Sequence, residues 1–378
     1  MITLIRNAAV LAPKDIGRND VLIAGDSIVE VGRDIEITGA NVNEIDADGL
    51  TLVPGIVDAL THPAGGGGEG GFGQRTAELT AADFIAAGVT TPVGALGTDA
   101  ITRSLDVLYG HVMALRAAGL AAYMYSGSYQ VPAPTLTGDV ARDLVMIDPV
   151  IGFGEIAIAD HRSSQPTALE LRKLAAQSQL GGTLSGKGGT VMLHVGDGAE
   201  RLSLMRDALA DTELPAACFY PTHANRSESL LLEAFEHARA GGWIDFTAST
   251  TPEFLADGEI AVLDALAMAE RNRVPPQQLT LSSDAGGSLP EYRDQQFLRS
   301  RAASPDVLLS ALLDVADDAA MRDLVLPAIT TNPARALKLY RRGEITENAF
   351  ADLLLIDVSQ RQLKAVMCNG AWLQAPEP

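Results

Sequence analysis

Four polar residues stand at the ends of apolar runs: Glu155 in VIGFGEIAIAD, His194 in TVMLHVGD, His223 in CFYPTHANR and Asp284 in LTLSSDAGG. A fifth run, LTLVPGIVDALTH, ends in His62, with Leu60 two residues earlier. Nitrogen and oxygen donors from separate strands suit a Zn²⁺ site with an open position, beside which a carboxylate can serve as general base. A lone histidine at a strand end is more often structural. Two on consecutive strands, after a glutamate on the strand before, favour metal ligation. Glu155 interrupts an apolar run, where a carboxylate without a cation is expensive. Asp284 also reads as an Asx turn or helix N-cap, a role compatible with catalysis. The set points to a hydrolase.

Such residues need a scaffold that brings strand ends to one rim. Strand-like segments at 55–61, 89–95, 120–126, 150–158, 190–195, 217–223, 243–249 and 278–284 alternate with helical ones such as 76–88, 101–119 and 229–242. That alternation predicts an α/β fold, a (β/α)₈ TIM-like barrel whose C-terminal rim carries the site. A doubly wound sheet alternates in the same way, but polar residues ending five or six strands fit a closed ring better than one crevice. Residues 1–52 read as short strands with GD, GR and DG turns, and the end of the chain has the same texture, including the hairpin signal Asn369-Gly370. The expected organisation is a small β-sandwich domain from 1–52 plus 343–378 around a barrel at 53–342.

The balance of 28 basic against 48 acidic residues, net charge −20, argues against nucleic acid or an anionic membrane as partner. No apolar span reaches membrane length. Two cysteines without CxxC spacing, Cys218 and Cys368, suggest reduced thiols and a cytoplasmic location. Of the six histidines, His111 and His237 fall within helical patterns and read as surface or packing residues.

Loops after the strands hold further candidates. The run Gly65 to Gly68 precedes Glu69; a carboxylate there would repel phosphate and suits an ammonium, the alternative being a flexible lid. Arg162 in ADHRSS and Arg226 in THANRS could each fork onto a carboxylate, or form loop salt bridges. Tyr129 in SGSYQVP could donate its hydroxyl to a carbonyl oxygen, or simply pack.

With these segments, PGIVDALTHPAGGGGEGG, GVTTPVGALGTD, YSGSYQVPAPTLTG, ADHRSSQP, YPTHANR and LTLSSDAGGS, the chain resembles the metallo-type isoaspartyl (β-aspartyl) dipeptidases of the amidohydrolase superfamily, over nearly its whole length. In that family the first strand supplies an HxH pair, the fourth a carboxylated lysine bridging two metals, the fifth and sixth one histidine each and the eighth an aspartate. Here the pair is Leu60-Thr61-His62, and Glu155 holds the lysine position. A similar Glu-His-His single-metal arrangement occurs in the N-acetylglucosamine-6-phosphate deacetylases of the superfamily. The resemblance therefore implies one Zn²⁺ held by Glu155, His194 and His223, with His62 beside an empty position or as a weak extra ligand. It further implies Glu69 and Thr98 at the substrate α-ammonium, Arg162 and Arg226 at its carboxylates, Ser288 lining the pocket, Tyr129 polarising the scissile carbonyl, Asp284 as general base and acid, and a homo-oligomer.

Three readings follow. The first is hydrolysis of an acidic dipeptide with a β-aspartyl linkage. The second is another amidohydrolase reaction, an N-acyl amino acid deacetylase or a cyclic amidase. The third is a catalytically inert member whose metal site is degraded at Leu60.

Overall fold

A computed structural model of the protein describes residues 2–38, 41–68, 70–293 and 296–376. The chain opens with five strands, β1 (Ile2–Leu11), β2 (Asp15–Ala24), β3 (Ser27–Gly32), β4 (Val42–Asp46) and β5 (Thr51–Pro54). Eight strands alternate with helices through the middle: β6 (Ile56–Thr61), β7 (Val89–Gly94), β8 (Tyr123–Ser126), β9 (Val150–Ile158), β10 (Thr190–Val195), β11 (Phe219–Thr222), β12 (Ile244–Thr247) and β13 (Leu279–Ser282). A hairpin, β14 (Ser288–Arg293) and β15 (Gln296–Ala302), follows, and β16 (Leu353–Asp357), β17 (Gln362–Cys368) and β18 (Ala371–Gln374) close the chain.

The fold is mixed α/β. Strands β6 to β11 form a curled parallel sheet in sequence order, and β12 and β13 form a separate parallel pair. Backbone hydrogen bonds span the gaps on either side of that pair, one on the β11 side and two on the β6 side. Ala224 N donates to Asp245 O at 3.0 Å, Asp284 N to Leu60 O at 3.1 Å and His62 N to Ala285 O at 2.6 Å. Every described residue of β6 to β13 except Tyr123 is buried, because both faces are covered. One face, with Ile56, Phe153, Leu193 and Phe219, packs under the helices, while Val57, Leu60, Tyr125, Met192 and Tyr220 fill the inside of the curl. The helices start where side chains can cap them: Ser104 accepts from Val107 N, Ser227 from Leu230 N, and Thr167 with Glu170 forms a capping box.

Both chain ends meet in one eight-stranded sheet, of order β18-β17-β16-β5-β1-β2-β3, with β4 also on β1. The junction is the antiparallel pairing of β5 with β16, Leu353 opposite Pro54. Strand β1 pairs β4 along Ile2–Arg6 and β5 at Ala9 and Val10, so the sheet branches there. Its own core gathers Ile5, Val10, Val21, Leu52, Leu353 and Met367. Asn369 and Gly370 take positive φ, 49° and 73°, between β17 and β18, as the NG turn requires.

Candidate active site

The polar strand ends converge as the sequence pattern demands. Glu155 is brought in by an irregularity. In the β9–β10 ladder Phe153 pairs with Val191 and Ile156 with Leu193, so Gly154 and Glu155 together face Met192. Such a bulge re-aims a side chain. Only glycine fits at 154, where φ is 135° and a Cβ would stand 2.5 Å from the Met192 carbonyl oxygen. His223 and Asp284, just past β11 and β13, also have left-handed backbone, with φ of 60° and 56°. Strain of about 1–3 kcal/mol each is typical of residues held for function.

The Glu155 carboxylate is fully buried, and neither oxygen has a hydrogen-bond partner among the described residues. Its Oε2 lies 3.4 Å from His194 Nδ1 and 4.0 Å from His223 Nε2, and those two nitrogens are 3.0 Å apart. Metal bonds of about 2.0–2.1 Å give a tetrahedron with edges of about 3.4 Å, so these three donor atoms fit one zinc-sized ion. The trio is also the metal-competent group found among the described residues. Other partners orient the rings. His223 Nδ1 is held by Thr247 Oγ1 at 2.5 Å, and His194 Nε2 by Asp160 Oδ2 at 3.1 Å. Burial, reinforced by Arg226 and His194, pulls His223 well below the usual histidine range, which leaves it neutral. Burial alone would raise Glu155, but His194, His62 and Arg162 outweigh it and hold the carboxyl below its ordinary value.

The structure places His62 on Asp284 rather than in the cage. Its Nδ1 meets the Ala95 carbonyl at 3.1 Å and its Nε2 meets Asp284 Oδ1 at 2.9 Å, with Glu155 Oε1 3.6 Å away. Burial would lower this imidazole, yet Asp284 and Glu155 raise it to about 9.

His62, His194, His223 and Asp284 line a cavity of about 370 Å³. Thr98, Tyr129, Arg162, Arg226, Asp284 and Ser288 all line it; Glu69 lies outside the described residues. The Tyr129 hydroxyl is 2.6 Å from His194 Nδ1, and the Arg162 guanidinium lies over its ring, 5.3 Å from the centroid. Burial and Glu155 push the phenol well above its usual value, so it stays a donor. The glycine run is ordered by Arg103, which donates to the carbonyls of Ala64, Gly66 and Thr76.

Sequence reasoning missed Asp160, Thr247 and Arg103. Asp160 stood in the quoted ADHRSS segment beside Arg162, where an aspartate reads as a turn residue. Thr247 ends β12 with no charge to mark it. The packing histidine was anticipated: His237 is buried with its Nε2 3.3 Å from the Phe219 carbonyl.

A crystal structure of a β-aspartyl dipeptidase from Fervidobacterium islandicum AW-1, in complex with the dipeptide β-Asp-Leu, superposes with a TM-score of 0.91. It is 41% identical, over 100% of this chain and 98% of that one. This chain belongs to the β-aspartyl dipeptidase family. No protein-family model matches the sequence. A dihydroorotase of Streptococcus pyogenes serotype M3 is 25% identical over 95% of this chain and 91% of its own. The dihydropyrimidinase of Brevibacillus agri NCHU1002 shares the fold, with a TM-score of 0.69 at 15% identity. In this chain Leu60, two residues before His62, is fully buried and without a donor atom, and β9 carries the glutamate Glu155.

Proposed function

We propose that this protein hydrolyses the amide bond of β-aspartyl dipeptides, using one Zn²⁺ held by Glu155, His194 and His223. The observation that carries the reading is the buried Glu155 carboxylate, without a hydrogen bond among the described residues, facing two oriented imidazoles that line a cavity together with Arg162, Arg226 and Asp284. The bound metal would supply Lewis acidity, bringing the pKa of a water toward neutrality.

The chain's own residues do the rest. Arg162 and Arg226 fork onto the substrate carboxylates, with Thr98, Ser288 and Glu69 completing the pocket. Tyr129 donates its hydroxyl proton to the carbonyl oxygen as negative charge develops there. The Asp284 carboxylate, held by His62, accepts a proton from the attacking water and returns it to the leaving amine. Support comes from the relative that bound β-Asp-Leu and from a cavity of a size that suits a dipeptide.

The same reading includes closure of β6 to β13 into a (β/α)₈ barrel over 53–342, supported by the backbone bonds on both sides of the β12–β13 pair. Residues 1–52 with 343–378 form the smaller domain, a sandwich supported by the branching of the sheet at β1. Two buried thiols suit a reducing cytoplasm. A homo-oligomer, carried by the resemblance alone, is read out by the mass in solution.

Purified protein incubated with β-Asp-Leu should release aspartate and leucine, with D284N as the inactive control. Absence of turnover with any divalent metal would refute the reading. Cleavage of a cyclic amide such as dihydroorotate in place of the dipeptide would favour the chemistry of the dihydroorotase relatives.

A further inference from the structure

Asp160 is 3% exposed at its side chain and sits two residues beyond β9, between the metal trio and the arginines. Its Oδ1 accepts from the Arg162 backbone N–H at 2.7 Å and from Arg162 Nε at 2.9 Å. Its Oδ2 accepts from Arg162 Nη2 at 2.8 Å and from His194 Nε2 at 3.1 Å, and lies 3.9 Å from Arg226 Nη1. One carboxylate therefore touches a metal-competent histidine and one substrate-facing arginine, and faces the other. The seat is built for it. Ala159 takes left-handed backbone, with φ of 49°, and Gly198 N donates to the Ala159 carbonyl at 2.8 Å. The loop after β10 passes so close that a Cβ on Gly196 would stand 2.6 Å from Asp160 Cβ.

We propose that Asp160 is a positioning residue that couples the metal cage to the substrate clamp. By accepting a hydrogen bond from the Nε2–H of His194 it leaves Nδ1 as the lone pair facing Glu155 and His223. A carboxylate behind a ligating imidazole fixes the tautomer and strengthens the ligand. Arg162 Nη2 also lies 3.0 Å from His194 Nε2, and both nitrogens reach the same acceptor, Asp160 Oδ2, so that the two donors meet through the carboxylate they share. The same oxygens hold the Arg162 fork flat against the cavity wall, over Tyr129. Removing this one group should loosen both functions at once, whereas removing the arginine should loosen only the second.

The inference rests on the dipeptidase reading for its substrate arm and not for its metal arm. Zinc affinity is measured by chelator competition on wild type, D160N and R162M, and KM and kcat on β-Asp-Leu. D160N should bind zinc about 10–100-fold more weakly and show a KM raised at least about 10-fold, one lost charge-assisted contact being worth about 1.5–3 kcal/mol. R162M should raise KM similarly and keep zinc affinity within about threefold. In ¹⁵N spectra of the metal-free protein, the Nε2–H tautomer of His194 should be lost in D160N and kept in R162M. If D160N does not fold, D160E, which keeps the charge but moves it by one methylene, should show both losses. Wild-type zinc affinity in the folded Asp160 variant, or equal zinc loss in R162M, overturns the proposal. If the wild type does not turn over β-Asp-Leu, the dipeptidase reading fails by itself, and calorimetric binding of L-aspartate replaces KM with the same outcomes.

Discussion

His62 Nε2 lies 2.9 Å from Asp284 Oδ1, while its Nδ1 is anchored on the carbonyl of Ala95. Both nitrogens of the ring are thus engaged, one on a backbone carbonyl and one on the Asp284 carboxylate. Anchoring at Ala95 matters because it leaves one direction open to Nε2. Gly97 makes room for the ring: its φ is +72°, and a Cβ there would be 3.0 Å from His62 Cε1.

The first prediction concerns H62Q. Its zinc content should stay at one per chain, since the donor trio is intact, while kcat falls about 10–100-fold, the usual effect of losing such a supporting partner. KM should change little because His62 does not hold the substrate carboxylates. Elemental analysis beside steady-state kinetics tests this. Loss of zinc together with activity would return His62 to the cage.

Tyr129 carries the second prediction. Its hydroxyl is the donor nearest the trio, 2.6 Å from His194 Nδ1, and it is un-ionised at neutral pH. Y129F should lower kcat by 10²–10³-fold, about 2.7–4 kcal/mol, as removal of one oxyanion donor does. Zinc affinity should be unchanged within error. A raised KM at unaltered kcat would make Tyr129 a packing residue under Arg162.

The reach and the limits of the sequence pattern have a common physical origin. All eight strands of the middle region were legible, and β9 and β10 occur at 150–158 and 190–195 as read, because strands covered on both faces must be apolar throughout. Glu155, His194, His223 and Asp284 stood out for the same reason, as polar groups within or just past such runs. Partner choice leaves no such trace. Asp284 and His62 are 222 positions apart, and the β9 irregularity that aims Glu155 inward shows only as a glycine before it. Asp160 was hidden because an aspartate in a loop is ordinary until its neighbours are known.

A third prediction follows from the carboxyls beneath the site. Asp58 is fully buried and bonded to Ser283, next to the base, and Asp245 is bonded to Ser282, Thr280 and Thr222. Burial outweighs these bonds and pushes both up to about 7 from 3.8. A folded value above the unfolded one means that the folded state binds the proton more tightly. The stabilisation from Asp58 is therefore fully present below about pH 4 and is lost as pH rises from about 4 to 7. An amide at this position escapes that loss. Metal-free D58N should gain on metal-free wild type between pH 5 and pH 8, by up to about 3 kcal/mol. Denaturant unfolding at the two pH values measures the gain, and an identical difference at both would remove Asp58 as the cause.

Leu60 supports the last prediction. A histidine there would recreate the HxH pair, two residues before His62, which lies just past β6. The surroundings have no place for it. Leu60 is fully buried in the apolar cluster that includes Val57, Val93, Tyr125 and Met192, and His62 is already committed to Asp284. An imidazole without a partner in such a cluster costs about 1–3 kcal/mol. L60H should therefore unfold at a lower temperature and still carry one zinc per chain, with kcat no higher than wild type. A second equivalent of zinc in L60H, with the thermal midpoint preserved, would mean that the single-metal site depends on the leucine alone and not on the pairing of His62 with the base.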